Sequence, residues 1–592
     1  MQKISLIKNV RFLITSVLTY VIVTTVFSSF VIAQEPINRL HLDSLYVESF
    51  DGTKLATMIM RPDGEGTYPT IICRTPYGSA WSKKTMENYA KRGYAYLVQD
   101  TRGRFNSEGV FDPFIYGVKD GDATLEWVRS QPWSNGDVGS MGHSYVGFTA
   151  LYLAAGSETP PKSVVVNQPV ASPEGGLFYG GAMNHHFDYY WSLLVDGKDQ
   201  DLEYMYSLDW DNLFGLLPLT TAHRGVNKEI ISYRKWIEWA NGSFGRGELP
   251  EIADIPTGTT AYLLVSGWFD LFNNDVIKLY HHLSKSGTKE RIKLIIGPYD
   301  HAMSPPPDCD MNFGDWDTLD VSAIMSQWPD RWLLGSENGV EDLPSVQFFL
   351  LGENRWVGSE TWPPAGMREV RYYLQSDGSA NTLNGSGRLT INAPEKESFD
   401  TFVYDPANPA PTKGGILCCL RPMTQAGPMD QREIETRDDV LVYTTEVLEQ
   451  DITVAGPVTL ELYASSSARD SDFTGKLVDV FPDGTALNIT DGIIRARFRN
   501  GDGKPEFLTP NTIERYRIDL GSTAMTFQKG HRIRLEVSSS NFPRFDRNLN
   551  TGGPVGKEDT MKKATQKVFH NSIYQSYLSL PVVRTDMFEK SN

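Results

Sequence analysis

The chain has 592 residues, with 56 Lys+Arg against 73 Asp+Glu and a formal charge of −17. That charge repels phosphate backbones and anionic lipid, so binding nucleic acid or a membrane surface is excluded as the main role. The 40% hydrophobic and 11% aromatic content is that of a folded chain rather than a disordered one.

Four cysteines (Cys73, Cys309, Cys418, Cys419) are too few for a disulfide scaffold, and they form no C-x-x-C pair for zinc. Lys3, Lys8 and Arg11 precede an apolar run from Phe12 to Ala33, followed by Gln34-Glu35-Pro36. A basic start, an apolar middle and a small residue before a polar turn describe a secretory signal over 1–33, cut after Ala33. The rival is an uncleaved anchor, because the run approaches the roughly 20 residues that span a bilayer. The expectation is an exported protein, periplasmic or secreted, free of the membrane once the signal is cleaved.

From 34 to 170, short apolar runs alternate with helical patterns. Thr70-Ile71-Ile72-Cys73, Tyr94-Ala95-Tyr96-Leu97-Val98 and Ser163-Val164-Val165-Val166 read as strands buried on both faces. Asp120 to Trp133 reads as a helix between them. This alternation predicts a parallel sheet covered by helices, an α/β fold class. From 171 to 254 the chain turns aromatic and polar (Tyr189-Tyr190-Trp191, Trp210, Trp236-Ile237-Glu238-Trp239) and reads as a helical insertion. The β/α pattern resumes over 255–343 with Ala261-Tyr262-Leu263-Leu264-Val265 and Ile292-Lys293-Leu294-Ile295-Ile296. From 344 to 592 the runs are short and alternating, as in Val458-Thr459-Leu460-Glu461-Leu462, and predict a sandwich or jelly roll.

The strongest chemical signal is Gly142-His143-Ser144-Tyr145-Val146-Gly147, between a strand-like run and the helix-like Phe148 to Ala155. A serine there fits a nucleophile elbow, although the spacing is Gly-x-Ser-x-x-Gly. A plain Gly/Ser turn opening a helix is the bland alternative. A serine hydroxyl needs a histidine to take its proton and a carboxylate to hold that histidine. Of the ten histidines, His301 alone follows a β/α strand at its C-terminal end, in Ile295-Ile296-Gly297-Pro298-Tyr299-Asp300-His301. Asp270, in Ser266-Gly267-Trp268-Phe269-Asp270, ends the preceding strand and is the acid candidate, with a helix N-cap as its structural alternative. Asp300 is a weaker rival because it adjoins His301. The oxyanion donors would be the Tyr145 N–H and, from the loop after an early strand, the Tyr77 hydroxyl.

With these residues in place, the chain resembles the cocaine-esterase and Xaa-Pro dipeptidyl-peptidase superfamily (CocE/NonD) of serine hydrolases. The resemblance rests on Arg74-Thr75-Pro76-Tyr77-Gly78, Asp100-Thr101-Arg102-Gly103-Arg104, the serine motif, Gly267-Trp268-Phe269-Asp270 and Gly297-Pro298-Tyr299-Asp300-His301, and continues through Gly352-Glu353-Asn354-Arg355-Trp356 and Asp470-Ser471-Asp472-Phe473. It implies an α/β-hydrolase domain, an inserted helical cap and a C-terminal all-β jelly roll of galactose-binding-like type. It also implies Ser144 as nucleophile, Asp270 and His301 as its partners, Tyr77 and Tyr145 at the oxyanion hole, and no metal or organic cofactor.

The resemblance departs in one place. Members that hydrolyse α-amino acid esters carry two acids just after the catalytic aspartate, whereas here Leu271-Phe272-Asn273-Asn274 follow. An ammonium bound there would lack a paired charge, unless a cap acid such as Asp188 substitutes. The expected substrate is therefore a neutral small-molecule ester or amide, with Trp268, Phe269 and Phe272 as pocket walls and core packing as their structural alternative. A short peptide cut by an Xaa-Pro dipeptidyl-peptidase is the rival within the enzyme class. A carbohydrate- or surface-binding protein using the jelly roll is the rival outside it. A homo-oligomer is left open.

Weaker signals read as structural. His185-His186 and Asp308-Cys309-Asp310 suggest packing rather than a metal, and Cys418-Cys419 two free thiols or core packing rather than a vicinal disulfide. Asp470, Asp472 and Asp479 read as loop and turn residues rather than a calcium cluster, and Arg102 with Arg104 as braces for loops near the site.

Overall fold

The computed structural model describes residues 39–153, 155, 157–226, 228–242, 249–419, 425–501 and 503–590. The expected leader over 1–33 lies outside them.

The first unit is a mixed sheet of eleven strands. Its early elements are β1 (Leu40–Glu48), β2 (Lys54–Pro62), β3 (Tyr68–Thr75), α1 (Lys83–Lys91), β4 (Ala95–Asp100), α2 (Gly117–Arg129), β5 (Ser134–His143), α3 (Tyr145–Tyr152) and β6 (Ser163–Asn167). The cap follows, with α4 (Pro173–Leu177), the hairpin β7 (Phe178–Tyr179) and β8 (Ala182–Met183), α5 (His185–Val195), α6 (Leu202–Tyr206), α7 (Trp210–Gly215), α8 (His223–Val226) and α9 (Ile231–Ala240). The sheet resumes with β9 (Ala261–Gly267), α10 (Asn273–Leu283), β10 (Ile292–Gly297), α11 (Val321–Pro329), β11 (Val346–Leu350) and β12 (Arg355–Ser359).

Strands β4, β3, β5, β6, β9, β10 and β11 run parallel in that order. Val164, Val166, Leu263, Leu264, Leu294 and Ile296 are fully buried along the three central strands, because helices cover both faces of a parallel sheet. The antiparallel pair β1–β2 forms one edge; β2 alternates buried with half-buried residues and β1 half-buried with exposed ones.

The second unit is all β. It holds β13 (Arg368–Gln375), β14 (Arg388–Thr390), β15 (Phe399–Tyr404), β16 (Leu441–Thr444), β17 (Ile452–Ser466), β18 (Asp472–Val480), β19 (Ala486–Arg495), β20 (Glu514–Phe527), β21 (Arg532–Ser538), β22 (Ala564–Phe569) and β23 (Tyr577–Val583). The 15-residue β17 is its spine, pairing with β20, β22 and β23. A register shift at Pro457 bends it where a proline cannot donate to the ladder.

Past residue 344, strands β11 and β12 extend the hydrolase sheet before the all-β unit begins, and a terminal strand β24 (Glu589–Lys590) returns to pair with β12. A short apolar run shows that it is a strand but not which sheet accepts it, and Val346–Leu350 is buried throughout beside β10.

The acidic motif of the second unit is corrected. Asp470 and Asp472 are buried rather than solvated. Asp472 pairs with Arg495 at 2.9 Å, Asp470 with Arg497 at 2.8 Å, and Asn548 bonds both carboxylates. Asp479 pairs with His531 at 3.0 Å. Strand pairing puts Arg495 opposite Asp472, which no local spacing reveals.

Candidate active site

Ser144 sits on the turn between β5 and α3 with φ 59°, a left-handed conformation that a side chain adopts only under constraint. Its N–H donates to the Asn167 carbonyl at 3.1 Å, and its carbonyl accepts from Phe148 N–H at 3.0 Å. The flanking glycines are required by contact. A Cβ on Gly142 would lie 2.3 Å from the Val146 carbonyl oxygen, and one on Gly147 would lie 2.9 Å from Pro169 Cβ. The turn thus lifts the hydroxyl off the end of the sheet, as a nucleophile elbow requires.

Asp270 and His301 follow the adjacent parallel strands β9 and β10. Their loops zip together, with Trp268 N–H donating to the Gly297 carbonyl and Phe269 N–H to the Tyr299 carbonyl, each at 3.0 Å. Gly267 permits the approach, since a Cβ there would lie 2.2 Å from the Tyr299 carbonyl oxygen. Asp270 is buried. One carboxylate oxygen accepts from Phe272 N–H at 2.9 Å and the other meets His301 Nδ1 at 2.5 Å. His301 Nε2 lies 2.9 Å from Ser144 Oγ. Three residues spread over 157 positions therefore meet in one hydrogen-bonded line. Asp300 turns away, its carboxylate accepting from Ala302 N–H at 2.9 Å.

Two rings hold the imidazole. Phe272 meets His301 edge-on with centroids 5.4 Å apart, and His143 lies against it at 4.7 Å. Burial, then the neighbouring His301, lowers His143 to about 3, so it sits beside the site uncharged.

Tyr77 follows β3, its N–H bonded to Thr75 Oγ1 at 3.0 Å. Its hydroxyl accepts from Trp191 Nε1–H of the cap helix α5 at 2.9 Å and lies beside Ser144. Burial pushes the phenol up to about 12, so it remains protonated and able to donate. Tyr145 begins α3, where the first N–H groups have no partner within the helix. Arg104 is buried beneath, donating to the Pro76 carbonyl at 2.8 Å and the Val195 carbonyl at 2.7 Å, and so ties the Tyr77 loop to the end of α5. Arg102 joins Asp51 and Asp120 at 2.8 and 2.6 Å.

A narrow, nearly closed cleft of about 10 Å³ lies over Ser144, walled by Phe114, Leu177, Phe187, Trp191 and Phe272. Of the three aromatics expected as walls, Phe272 lines it. Trp268 and Phe269 do not. Trp268 packs on Phe348 and Trp362 and donates to the Phe349 carbonyl at 2.7 Å, and Phe269 packs on Phe313. Both lie in the loop just after β9 and are core.

The sequence reading missed the cap walls Phe187 and Trp191. Their i, i+4 spacing on one helix face was the available signal. His185 bonds Tyr233 Oη at 2.7 Å and the Phe214 carbonyl at 3.1 Å, a packed role. Asp188 is fully buried, and burial together with Asp546 holds its carboxyl in the neutral form, which offers no charge to an ammonium.

Cys418 and Cys419 are joined as a vicinal disulfide, against the expectation of free thiols. Cys419 has φ 80°, which turns the chain so that both sulfurs face the same side. Their Sγ atoms and a His301 ring nitrogen all lie within 4.8 Å of one another.

Comparison with known proteins agrees with this architecture. Residues 51–303 match the model of the X-Pro dipeptidyl-peptidase (S15 family), and residues 338–579 match the X-Pro dipeptidyl-peptidase C-terminal non-catalytic domain. A cocaine esterase of Rhodococcus sp. (strain MB1 Bresler) is 32% identical over 574 residues, covering 90% of this chain and 97% of that protein. Among solved structures, an aminopeptidase from the marine sediment archaeon Thaumarchaeota archaeon is 25% identical with a TM-score of 0.78, covering 93% of this chain and 97% of its own. An α-amino acid ester hydrolase is 26% identical with a TM-score of 0.77, covering 94% and 99%.

Proposed function

The chain belongs to the CocE/NonD X-Pro dipeptidyl-peptidase family and is a serine hydrolase, and from that premise we propose that it cleaves neutral esters or amides through an acyl-enzyme on Ser144. The observation that carries this reading is the line Ser144 Oγ, His301 Nε2, His301 Nδ1, Asp270 Oδ2, with contacts of 2.9 and 2.5 Å.

In the proposed reaction, Ser144 Oγ attacks the substrate carbonyl while His301 Nε2 takes its proton. Asp270 keeps the imidazole in the Nδ1–H tautomer and stabilises the imidazolium as it forms. Negative charge gathers on the carbonyl oxygen, which accepts from Tyr145 N–H and Tyr77 O–H. Because Trp191 N–H already fills an acceptor position on the Tyr77 oxygen, the phenol proton is left to point into the site. His301 then gives its proton to the departing alkoxide or amine. Water, activated by the same nitrogen, releases the acid and frees Ser144.

The apolar cleft supports an uncharged acyl or alcohol group. Behind Asp270, Asn274 is engaged with Tyr179 Oη and Ser522 N–H, while Asp275 is bonded to Ser172 and to Lys278. Neither arrangement leaves a free carboxylate for a substrate ammonium. Export through the leader over 1–33 is part of the proposal, and no helix among the described residues is long and apolar enough to cross a membrane.

The test is hydrolysis of a simple aryl ester against a Gly-Pro anilide, with a fluorophosphonate probe on the parent and on Ser144→Ala. Ester turnover and labelling that both vanish in the variant support the reading. Labelling that persists refutes Ser144 as nucleophile, and a clear preference for the anilide refutes the neutral-ester substrate in favour of the exopeptidase.

A further inference from the structure

The corner of the site beside His301 is closed by two sulfurs from the second unit. Cys418 is buried, Cys419 is exposed, and both Sγ atoms lie within 4.8 Å of the His301 nitrogen. The remaining cysteines, Cys73 and Cys309, are free thiols elsewhere in the chain. Two sulfurs and an imidazole are the donor set favoured by thiophilic divalent cations such as Zn²⁺. A tetrahedral zinc with bonds of about 2.3 Å to sulfur and 2.0 Å to nitrogen places its donors about 3.5–3.8 Å apart. Shifts of about 1 Å bring the nitrogen into that range, and breaking the S–S bond lets the sulfurs separate into it.

We propose that reduction of Cys418–Cys419 turns this corner into a binding site for a thiophilic divalent cation, held by the two thiolates and His301 Nε2, and that occupancy switches the hydrolase off. The reductant is a thiol. Two RSH reduce the S–S bond to two cysteine thiols and leave as RSSR. On binding, the cation displaces one proton from each thiol to water and takes the imidazole lone pair. Nδ1 is committed to Asp270, so Nε2 is the nitrogen available, and it is the one that would otherwise accept the Ser144 proton. A cation there competes directly with the serine hydroxyl. Exposure of Cys419 gives both reductant and metal a route in. The inhibitory half rests on the reading of His301 as the base, whereas the binding half does not.

The experiment uses the full purified chain in two forms. One is reduced with dithiothreitol and desalted without air, the other is oxidised with glutathione disulfide, and thiol titration after unfolding confirms each. Co²⁺ is added as a spectroscopic probe and Zn²⁺ as the inhibitor. The expected result is one Co²⁺ per reduced chain with a sulfur-to-cobalt charge-transfer band. That band should be absent from the oxidised chain and from the Cys418→Ser/Cys419→Ser double variant, and weakened in His301→Ala. Zn²⁺ should abolish ester hydrolysis by the reduced parent relative to its own metal-free rate, reversibly with EDTA, and leave the oxidised parent and the double variant at theirs. A reduced parent with no thiolate band, or an equal band in His301→Ala, overturns the site. A band with hydrolysis undiminished overturns the switch. If no form hydrolyses any ester, the serine-esterase reading has failed, and the cobalt band alone still decides the site.

Discussion

The indole N–H of Trp191 donates to the phenol oxygen of Tyr77 at 2.9 Å, across the seam between the cap and the hydrolase sheet. A residue of the insertion thereby orients the hydroxyl proposed to receive the oxyanion. Tyr77→Phe keeps the ring and removes the donor, so kcat for an aryl ester should fall about 10²–10³-fold with little change in KM. Steady-state kinetics with the far-UV spectrum unchanged is the check. A loss confined to KM would mean that Tyr77 only binds substrate.

Trp191→Phe keeps the cleft wall and removes the N–H. It should cost less than Tyr77→Phe, and the double variant should be little worse than Tyr77→Phe alone, because both act through one oxygen. Additive losses in a double-mutant cycle would show that the two residues act independently.

Gly142→Ala drives a methyl into the Val146 carbonyl at 2.3 Å, a backbone contact that cannot swing aside. Destabilisation of about 1–3 kcal/mol is expected, with loss of fluorophosphonate labelling at temperatures where the chain is still folded. Urea denaturation and labelling measured together test both parts.

Buried histidines set an acid limit. Burial lowers His185 to about 4 and His186 to about 3. Both are neutral in the folded state yet protonate below about 6.5 when unfolded. Their contribution is therefore intact above about pH 6.5 and is lost as pH falls toward 4 and 3, by up to about 1.4 kcal/mol per pH unit per site. His186→Leu should flatten the fall in urea stability between pH 7 and pH 5 by about 2 kcal/mol. An unchanged slope would mean that His186 is protonated in the folded chain.

Arg495 is buried between Asp472 and Asp546, at 2.9 and 3.0 Å. Asp546 also accepts from Met183 N–H of the cap at 2.7 Å. Arg495→Met leaves two buried carboxylates unpaired and should cost about 3–5 kcal/mol of stability. Adding calcium should not restore the parent melting temperature. Restoration would return the acidic cluster to the metal reading set aside above.

Some of this was local enough to read from the chain. A buried parallel strand must be a nearly continuous apolar run, an elbow serine needs small neighbours before and after it, and a strand-following loop is where a parallel sheet presents side chains. Those rules picked out Ser144, Asp270 and His301, and they separated the α/β part from the all-β part. Contact across distance decided the rest. Trp268 and Phe269 proved to be core because the loop after β9 packs against Phe348 of β11 and against Phe313, and β11 itself joined the hydrolase sheet because β10 left an edge for it. Asp472 found Arg495 only through strand pairing, and Cys418–Cys419 reached His301 only because the second unit folds back over the first. Periodicity and spacing are properties of neighbours along the chain. Which face meets which is settled by the packing of whole units, and that information exists only once the chain has closed on itself.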